Sequence, residues 1–337
     1  MKFNHIAVCR TDSIGDVVLT LPMLHAIREQ YPEAKISFIG RTYTKPVIEI
    51  NKNINRFINW DDVADKTKKE QAEFLKAQEI DALIFAFPDK TVVKAAFWAN
   101  IKFRIATFGR MHTLLYCNKK VIFSRKNSNL HESQLNFNLL APLGIDKIPS
   151  LEKIKTYYDL DAPKAKLPQE ISDILAKSSK NIILHPKSQG SAVEWSEDNF
   201  LQLAKMLAAK GYTVWFTGTE KEGKLVPKLA QIKAENIIPL FGQMSLQEFI
   251  RFISQTDGLV AASTGPLHIA AAMGKIAVGL FSPRRPIHPG RWQPVGENAT
   301  VLVSAQLCEG CKKGGECTCM QNITPEQVLE AVLCFNE

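Results

Sequence analysis

Short apolar runs alternate with segments of helical periodicity along the chain, and this alternation occurs twice. Runs that are apolar throughout and separated by helices predict a parallel sheet that helices cover on both faces. The predicted strands are 5–10, 35–40, 56–60, 81–87 and 103–108, then 181–185, 212–217, 237–240, 258–262 and 276–281. The predicted helices are 16–30, 66–78, 90–100, 169–177, 197–209, 246–254, 266–273 and a last one from a capping box at 324 to about 334. The pattern therefore predicts an α/β protein with two Rossmann-like, doubly wound domains.

The region between the two sets of strands separates the predicted domains. The sequence has 337 residues, more than the ~100–200 of one ordinary core. Residues 161–180 carry no strand pattern and are rich in Pro, Lys and Ala, which is typical of a linker. We therefore predict an N-terminal domain over 1–160 and a C-terminal domain over 181–337, which face each other across a central cleft. Ligands of such sheets bind beyond the carboxyl ends of the strands, so the loops there are the candidate sites.

Composition and charge narrow the class of protein. Apolar residues make up 45% and charged residues 23% of the chain, which argues against disorder, collagen and coiled coil. No apolar run approaches the ~18 residues of a membrane span, and the N-terminus lacks the pattern of a secretory signal, so we expect a cytoplasmic protein. The net charge of +8 indicates an anionic partner or only a solubilising surface. Because the aromatic residues are dispersed among core-like strands, we predict no nucleic-acid binding.

The loop after the first predicted strand is the first candidate site. It contains Arg10, Thr11, Ser13 and Gly15, which are candidate acceptor- or phosphate-binding residues, and it contains Asp16. Asp16 has two interpretations, as the N-cap of the following helix or as a catalytic carboxylate. A helix N-terminus would lower the pKa of Asp16 and weaken it as a base, whereas an apolar cleft would offset that effect. The loop is neither GxGxxG nor a P-loop, which disfavours nicotinamide and P-loop nucleotide chemistry.

The loop after the strand 258–262 predicts an anion site. It contains Ser263, Thr264, Gly265, Pro266 and His268. A proline in the first helical turn is typical of a helix start, and the free N–H groups there suit a diphosphate. His268 is either a donor to a phosphate or sugar oxygen or an ordinary core or capping histidine.

Two further strand ends are expected beside this loop. The first offers His185 and Lys187, and the second offers Thr217, Gly218 and Glu220. Lys187 supplies a cation, and an acidic residue such as Glu220 can accept hydrogen bonds from ribose hydroxyls. The alternative for Glu220 is an ordinary charge at a helix N-terminus.

Over nearly its whole length the sequence resembles glycosyltransferase family 9, the ADP-heptose:lipopolysaccharide heptosyltransferases and their relatives. The resemblance rests on the segment 10–16 with Leu21-Pro22, Trp195 before a helix, Met244-Ser245-Leu246, the segment 263–268 with Ala270-Ala271-Ala272, Phe281-Ser282-Pro283, and Cys319-Met320 with Ile323-Thr324-Pro325-Glu326. It implies a GT-B fold, an acceptor on the N-terminal domain, a nucleotide-sugar on the C-terminal domain, and inverting transfer without a metal ion.

The resemblance also implies roles for single residues. Asp16 matches the family's proposed general base, Glu220 a ribose-binding acid, Met244 a residue beside the adenine, and Thr264, Gly265 and His268 the diphosphate-sugar loop. The implied partners are an ADP-linked heptose or similar sugar and an anionic lipopolysaccharide-type acceptor. We expect the enzyme in the cytoplasm, and our hypothesis is that its net charge of +8 brings it into peripheral contact with the inner membrane surface. A nucleotide-sugar epimerase and a non-catalytic nucleotide-sugar-binding protein are the alternatives.

This sequence departs from the family pattern in two places. Glu194 stands before Trp195 where the family often has a basic residue, and Ser263 stands where heptosyltransferases often have Asp. Our hypothesis is that Lys187 or Lys221 supplies the missing positive charge to the leaving diphosphate.

Two more features near the C-terminus are candidate sites. Arg284 and Arg285 begin a basic loop that suits donor phosphates or an anionic acceptor, or is a plain surface loop. The cysteines at 308, 311, 317 and 319 have a spacing compatible with a structural zinc site, and a free-thiol or oxidised loop is the alternative. An Asp-Leu-Asp sequence at 159–161 lies in the predicted linker, and we interpret it as a solvated pair rather than a metal motif.

Overall fold

The structure, a computed structural model, describes residues 2–125, 128–285, 287–305, 307–313 and 317–335. It divides into two compact units, Met1–Asp161 and Ala162–Glu337. Each unit contains one six-stranded sheet. All neighbouring strands within each sheet are parallel.

Unit 1 carries the first sheet. Its strands are β1 (His5–Cys9), β2 (Lys35–Gly40), β3 (Arg56–Asn59), β4 (Ala82–Phe85), β5 (Phe103–Thr107) and β6 (Lys119–Val121), in the order β3-β2-β1-β4-β5-β6. Its helices are Ile14–Val18, Pro22–Gln30, Lys45–Ile48, Lys68–Lys76, Lys90–Trp98, Met111–Tyr116, Glu132–Phe137 and Leu151–Lys155, with 3₁₀ turns at Thr42–Thr44, Trp60–Asp62 and Asn138–Leu143.

Unit 2 repeats this topology. Its strands are β7 (Asn181–His185), β8 (Thr213–Phe216), β9 (Ile237–Pro239), β10 (Gly258–Ala262), β11 (Ile276–Phe281) and β12 (Ala299–Val303), in the order β12-β11-β10-β7-β8-β9. Its helices are Gln169–Lys177, Glu197–Ala209, Glu220–Gly223, Pro227–Ala230, Leu246–Gln255, Gly265–Ala272, Pro289–Trp292, Glu309–Lys313 and Pro325–Leu333, with a 3₁₀ turn at Cys319–Asn322.

Both sheets have the strand order of a Rossmann fold. In each, the first strand of the unit pairs with the second on one side and the fourth on the other, so the chain reverses direction of winding between β1 and β4 and between β7 and β10. Ligands of doubly wound sheets bind at these switch points. The predicted α/β class with two doubly wound domains is confirmed.

Buried strands explain why the sheets form. Every residue of β1, β4, β7, β8, β10 and β11 is buried, as expected for parallel strands that helices cover on both faces. In unit 2, Trp195 is buried, its indole N–H donates to the carbonyl oxygen of Ile323 at 2.9 Å, and its ring packs edge-on against Phe200. Trp195 thus joins the loop after β7 to the C-terminal segment.

Three predictions about elements were incomplete. The helix predicted over 16–30 is two helices, Ile14–Val18 and Pro22–Gln30, because Pro22 has no N–H to continue the first one. Strand β6 was missed, since two of its three residues are lysines. Strand β12 was also missed, although its Thr-Val-Leu-Val run favours a strand. The predicted helix 169–177 and the capping boxes at Ser245 and Thr324 are confirmed.

The Asp-Leu-Asp segment closes unit 1. Asp159 accepts from His25 Nδ1 at 2.6 Å and from the Asn53 amide at 2.7 Å. Its backbone is in the left-handed region, with φ of 46°. The Asp159 side chain is therefore a structural acceptor rather than the solvated group that we predicted. No helix in the described parts of the chain has the length and apolarity needed to span a bilayer.

Candidate functional site

The carboxyl end of β1 holds a buried arginine. Arg10 Nε and Nη2 donate to the two carboxylate oxygens of Asp12 at 2.8 and 3.1 Å, and Nη2 also donates to Asp16. Nη1 donates to Glu132 at 3.2 Å and lies within 3.4 Å of acceptors on Thr20 and Asn136. The guanidinium is thus surrounded by acceptors of its own unit, and its charge acts first on the neighbouring carboxylates.

Asp16 lies on the open side of this arrangement. It is the third residue of the helix Ile14–Val18, whose N-cap is Ser13, so Asp16 is not the N-cap. Ser13 is exposed, and its hydroxyl donates to the second carboxylate oxygen of Asp16. Thr11 and Gly15 are half-buried on either side. The loop thus carries two partly exposed carboxylates at the switch point of the sheet, Asp16 at 18% and Asp12 at 26% exposure.

The environment of Asp16 favours its protonated form more than usual. Burial raises the pKa of Asp16 above its ordinary value, the charge of Arg10 opposes this, and the charge of Asp12 adds to it. The net direction is upward, opposite to what a helix N-terminus alone would cause. A carboxylate with a raised pKa is a stronger base than an ordinary aspartate.

Residues far along the chain complete the network, and sequence reasoning missed them. Arg125 donates to Glu132, to the carbonyl oxygen of Ala86 at 2.9 Å and to Asn136 at 3.0 Å. Glu132 is buried between the two arginines. Glu132 is the first residue of a helix, where an acidic residue is ordinary and usually exposed. The sequence therefore gives no sign that Glu132 is buried, and only the fold shows its contacts with the two arginines.

In unit 2, the loop after β7 is closed by an ion pair. Lys187 Nζ donates to Glu194. The other Glu194 oxygen accepts from the backbone N–H of Ser188 at 2.7 Å and from its hydroxyl at 2.8 Å. Glu194, which stands where the family often has a basic residue, therefore pairs with Lys187, one of the two lysines that we expected to supply the missing positive charge. Lys221 is exposed in the short helix Glu220–Gly223 that follows β8.

His185 and Thr217 face each other at the ends of β7 and β8. His185 Nδ1 lies 2.9 Å from Thr217 Oγ1, and both side chains are buried. Burial lowers the pKa of His185 to about 4, against the charges of Glu222 and Glu194. His185 is therefore neutral at pH 7 and supports the loop without adding a positive charge.

Close packing explains the glycines after β8. A Cβ on Gly218 would lie 2.9 Å from the Phe241 ring. Gly242 has a φ of +72°, and a Cβ there would lie 3.1 Å from the backbone N of Glu220. The N–H of Gly242 donates to the carbonyl oxygen of Gly218 at 2.8 Å. Gly218, a candidate donor-binding residue, thus lets the Phe241 ring approach, and Gly242 lets the backbone pack closely against Glu220.

Glu220 stands between two cavities of unit 2. Its side chain is exposed, it pairs with Lys224 at 2.7 Å, and this contact lowers its pKa. A cavity of about 960 Å³ lies on one side, lined by the loops 187–194 and 219–225. A smaller cavity of about 460 Å³ lies on the other, lined in part by Phe241 and Gln243. Met244, half-buried, follows Gln243.

The helix Gly265–Ala272 begins at the carboxyl end of β10. Its N-cap is Thr264, which makes no side-chain capping bond, and Pro266 is in its first turn. Thr264 Oγ1 is buried and has no hydrogen-bond partner among the described residues. His268 is buried one turn into the helix. The carbonyl oxygen of Ser263 accepts from the Ser191 hydroxyl at 3.2 Å, which joins the loops after β7 and β10. The structure thus brings the predicted donor loops together.

The basic loop follows β11. The N–H of Arg284 donates to the Ser282 hydroxyl at 3.2 Å, Arg284 is half-buried and Arg285 is exposed. Burial and then the charges of Arg285 and Arg291 lower the pKa of His288. Pro286 of this loop lies outside the described residues.

The four C-terminal cysteines form one cluster. Their sulfur atoms all lie within 4.8 Å of one another. Cys308 Sγ accepts from the backbone N–H groups of Cys311 and Thr318, both at 3.3 Å. The Cys311 and Cys317 sulfurs are 3.0 Å apart, longer than the ~2.05 Å of a disulfide. The Ser282 hydroxyl contacts Cys317 at 3.3 Å, so the cluster adjoins the end of β11.

Comparison with known proteins identifies the class. The model of glycosyltransferase family 9 (heptosyltransferase) matches residues 72–321. The chain has the GT-B fold of this class: it is similar to the structure of a Veillonella parvula glycosyl transferase family 9 protein, with a TM-score of 0.80 at 20% identity, covering 99% of this chain and 97% of the other. It is also similar to Escherichia coli ADP-heptose lps heptosyltransferase II, with a TM-score of 0.74 at 22% identity over 100% of both chains.

A curated relative extends the match over the whole length. Lipooligosaccharide heptosyltransferase 2 of Haemophilus influenzae is 23% identical over 345 residues, which cover 94% of this chain and 95% of the relative. The chain belongs to glycosyltransferase family 9 and is a glycosyltransferase. Membership favours sugar transfer over the epimerase and non-catalytic alternatives.

Proposed function

We propose that this enzyme transfers a heptose or similar sugar from an ADP-linked donor to the core of a lipopolysaccharide-type acceptor, with inversion at the anomeric carbon. The names of its relatives support this, because they include a lipooligosaccharide heptosyltransferase and an ADP-heptose-dependent enzyme. The observation that carries the proposal is Asp16, a largely buried carboxylate of raised pKa at the switch point of the first sheet. Such a group is suited to remove a proton from an acceptor hydroxyl.

Unit 2 is the proposed donor site. Glu220 would accept from the ribose hydroxyls, and Met244 would lie beside the adenine. The N-terminus of the helix Gly265–Ala272, with Thr264 and His268, would hold the diphosphate, since its N–H groups and dipole favour negative charge. The unpartnered Thr264 hydroxyl supports this, because a buried donor without an acceptor is costly unless a ligand supplies one.

Each group has a defined part in the transfer. Asp16 takes the proton of the acceptor hydroxyl while that oxygen bonds to the anomeric carbon. The bond between this carbon and the β-phosphate oxygen breaks, and its electron pair leaves on ADP. Lys187 and the helix N-terminus stabilise the departing charge, so we propose that this step needs no metal ion. We propose Arg10 as a positioning residue, which orients Asp16.

A transfer assay tests the proposal. The protein is incubated with ADP-heptose and a heptose-deficient lipopolysaccharide core, and the product is analysed by mass spectrometry and by NMR of the new anomeric centre. We expect one added heptose with inverted configuration at its anomeric carbon. We also expect the same transfer rate with and without a chelator added during the assay. Conversion of the donor without an acceptor would instead indicate an epimerase, and binding without transfer would indicate a non-catalytic protein.

We also propose that the cysteine cluster binds one structural zinc ion. A tetrahedral ion with Zn–S bonds of ~2.3 Å needs sulfurs about 3.8 Å apart, and the four sulfurs here lie within 4.8 Å of one another. Backbone N–H donors to Cys308 are typical support for a thiolate ligand. Because Ser282 contacts Cys317, the ion would fix the end of β11, from which Arg284 begins the basic loop.

A further inference from the structure

The net charge of the chain is concentrated in one stretch of unit 1. No Asp or Glu occurs between Asp89 and Glu132, whereas residues 90–125 contain eight Lys and Arg. The rest of the chain contains 34 Lys and Arg and 34 Asp and Glu, so its charges balance. Residues 90–125 therefore account for the whole net charge of +8. A surface charge that serves only solubility would be spread over the chain and does not explain this concentration.

The fold gathers this stretch at one edge of the first sheet. The helices Lys90–Trp98 and Met111–Tyr116 pack together, with the rings of Phe97 and Tyr116 5.2 Å apart. Strand β5 pairs with β6, which is the outermost strand. We call residues 90–125 the basic edge. Its exposed cations are Lys90, Lys102, Arg110, Lys119 and Lys120.

Large apolar side chains are exposed on the same edge. They are Trp98 (61% exposed), Phe108 (51%), Met111 (72%), Leu115 (63%) and Ile122 (82%). Met111 and Leu115 are four residues apart and share one helix face. The N–H of Phe108 donates to the carbonyl oxygen of Val121 at 2.9 Å, which places Phe108 beside the start of the Ile122 segment. Exposed apolar residues beside cations mark an interaction surface.

Two simpler explanations do not account for this combination. Lysines on an edge strand prevent pairing with other chains, but exposed Met, Leu and Ile side chains beside them would promote association. Nucleic acid would suit the charge and the rings of Trp98 and Phe108. However, the three most exposed apolar side chains of this edge, Met111, Leu115 and Ile122, provide no stacking surface for bases. Cations around protruding apolar residues instead match the boundary between anionic headgroups and acyl chains.

We propose that the basic edge binds the surface of an anionic lipid bilayer. Its exposed lysines and Arg110 contact the headgroups, and its exposed apolar side chains insert shallowly at the acyl boundary. The inference rests on the proposed function only in that a lipopolysaccharide-type acceptor is carried by a membrane.

Vesicle co-sedimentation of the full chain tests the proposal without any sugar substrate. We expect binding to vesicles of phosphatidylcholine with about a third phosphatidylglycerol, weakening with salt, and much weaker binding to phosphatidylcholine alone. Lys119→Glu with Lys120→Glu should weaken binding at least 30-fold, given the ~1 kcal/mol that each surface lysine contributes. The matched control is Lys164→Glu with Lys166→Glu, two exposed lysines of unit 2, which should bind within about twofold of the parent.

A second pair of variants tests insertion. Met111→Ser with Ile122→Ser should weaken binding about tenfold or more, whereas Ile148→Ser with Leu307→Ser, also exposed positions, should not. Absence of binding at low salt, or equal losses in the control variants, would overturn the proposal. A third outcome would also overturn it: the parent forms a dimer, Met111→Ser with Ile122→Ser dissociates that dimer, and vesicles do not bind. The basic edge would then be a contact between two copies of the chain.

Transfer to a water-soluble acceptor separates this inference from the proposed function. Soluble transfer without vesicle binding would refute the membrane surface and leave the proposed reaction standing. Vesicle binding without any transfer would support the membrane surface and refute the proposed reaction.

Discussion

The guanidinium of Arg10 donates to the carboxylate of Asp16, and the same guanidinium holds Asp12 and Glu132. With Arg125, the group contains two cations and three carboxylates. One negative charge is therefore left over. Asp12 (26% exposed) and Asp16 (18%) are both more open to solvent than the buried Glu132, and burial raises the pKa of Asp16. The network thus fixes the orientation of Asp16 and still leaves it able to accept a proton.

Replacement of Asp16 by Asn should abolish turnover and leave folding intact. The amide keeps the shape of the side chain but cannot take a proton, so we expect kcat to fall about 10²–10⁴-fold. Donor affinity, measured by calorimetry, should change less than about twofold, because we propose that unit 2 binds the donor. The urea midpoint should not fall, since the charges of the network become balanced.

Asp12→Asn is the matched control, because it removes the other carboxylate beside Arg10. We expect a smaller loss of turnover from it, through weaker positioning. The raised pKa of Asp16 also predicts the pH dependence of kcat/KM, because protonated Asp16 cannot act as a base. As the pH drops, kcat/KM should begin to fall at a higher pH than the pKa of an ordinary aspartate, ~3.9, would cause. Equal activity of Asp16→Asn and the parent would exclude Asp16 as the base.

Glu194→Gln should strengthen donor binding. Glu194 neutralises Lys187, and glutamine keeps an acceptor for Ser188 while removing the negative charge. We expect the Kd for ADP to fall about fivefold, in line with the ~1 kcal/mol of a partly exposed pair. Lys187→Ala should raise it by a similar factor, and Glu235→Gln, an exposed residue, serves as the control. An unchanged Kd in both site variants would show that Lys187 does not contact the diphosphate.

Thr264→Val should separate stability from donor binding. The Thr264 hydroxyl is buried without a hydrogen-bond partner in the part of the chain that the structure describes, so valine of similar shape should leave the free energy of unfolding unchanged or raise it by about 1 kcal/mol. If the hydroxyl donates to the donor phosphate, the Kd should rise about 10–100-fold, the effect of a hydrogen bond to a charged group. Thr264→Ser keeps the hydroxyl and should bind like the parent. A loss of stability without a loss of affinity would contradict the assignment.

The sequence predicted most of the fold because buried parallel strands are apolar throughout. It failed where tertiary context decides: β6 is short and rich in lysine, and Pro22 divides a helix whose apolar pattern continues. The candidate loops were found because strand ends in such sheets carry function. The pairing of Lys187 with Glu194 depends on how one loop closes on itself, and the burial of Glu132 depends on Arg10, 122 residues away. Neither is encoded in the spacing of a single sequence.

The buried His185 should make unit 2 less stable in mild acid. Its pKa is about 4 in the fold and ~6.5 in an unfolded chain. Between these values only the unfolded state binds the proton, so stability is complete above pH 6.5 and falls as the pH drops toward 4. The greatest slope is about 1.4 kcal/mol per pH unit. Urea unfolding at several pH values should show a steeper slope in the parent than in His185→Gln, in which His5 and His288, whose pKa values burial also lowers, remain. An equal slope in both proteins would refute the prediction.

Removal of the metal should loosen the end of β11. Metal analysis of protein purified without added metal should find one zinc per chain, and Cys308→Ser should lose it, because three thiolates do not complete the tetrahedral site. Cys334→Ser is the matched control, an exposed cysteine outside the cluster. Since Ser282 adjoins Cys317, chelation should raise hydrogen exchange in the segment 282–285 and lower Tm, while the exchange of β1 in unit 1 stays the same. If the metal analysis found iron instead of zinc, the site would stand and only the identity of the bound ion would be corrected. Protein without metal, and with unchanged exchange after chelation, would leave the four cysteines as free thiols.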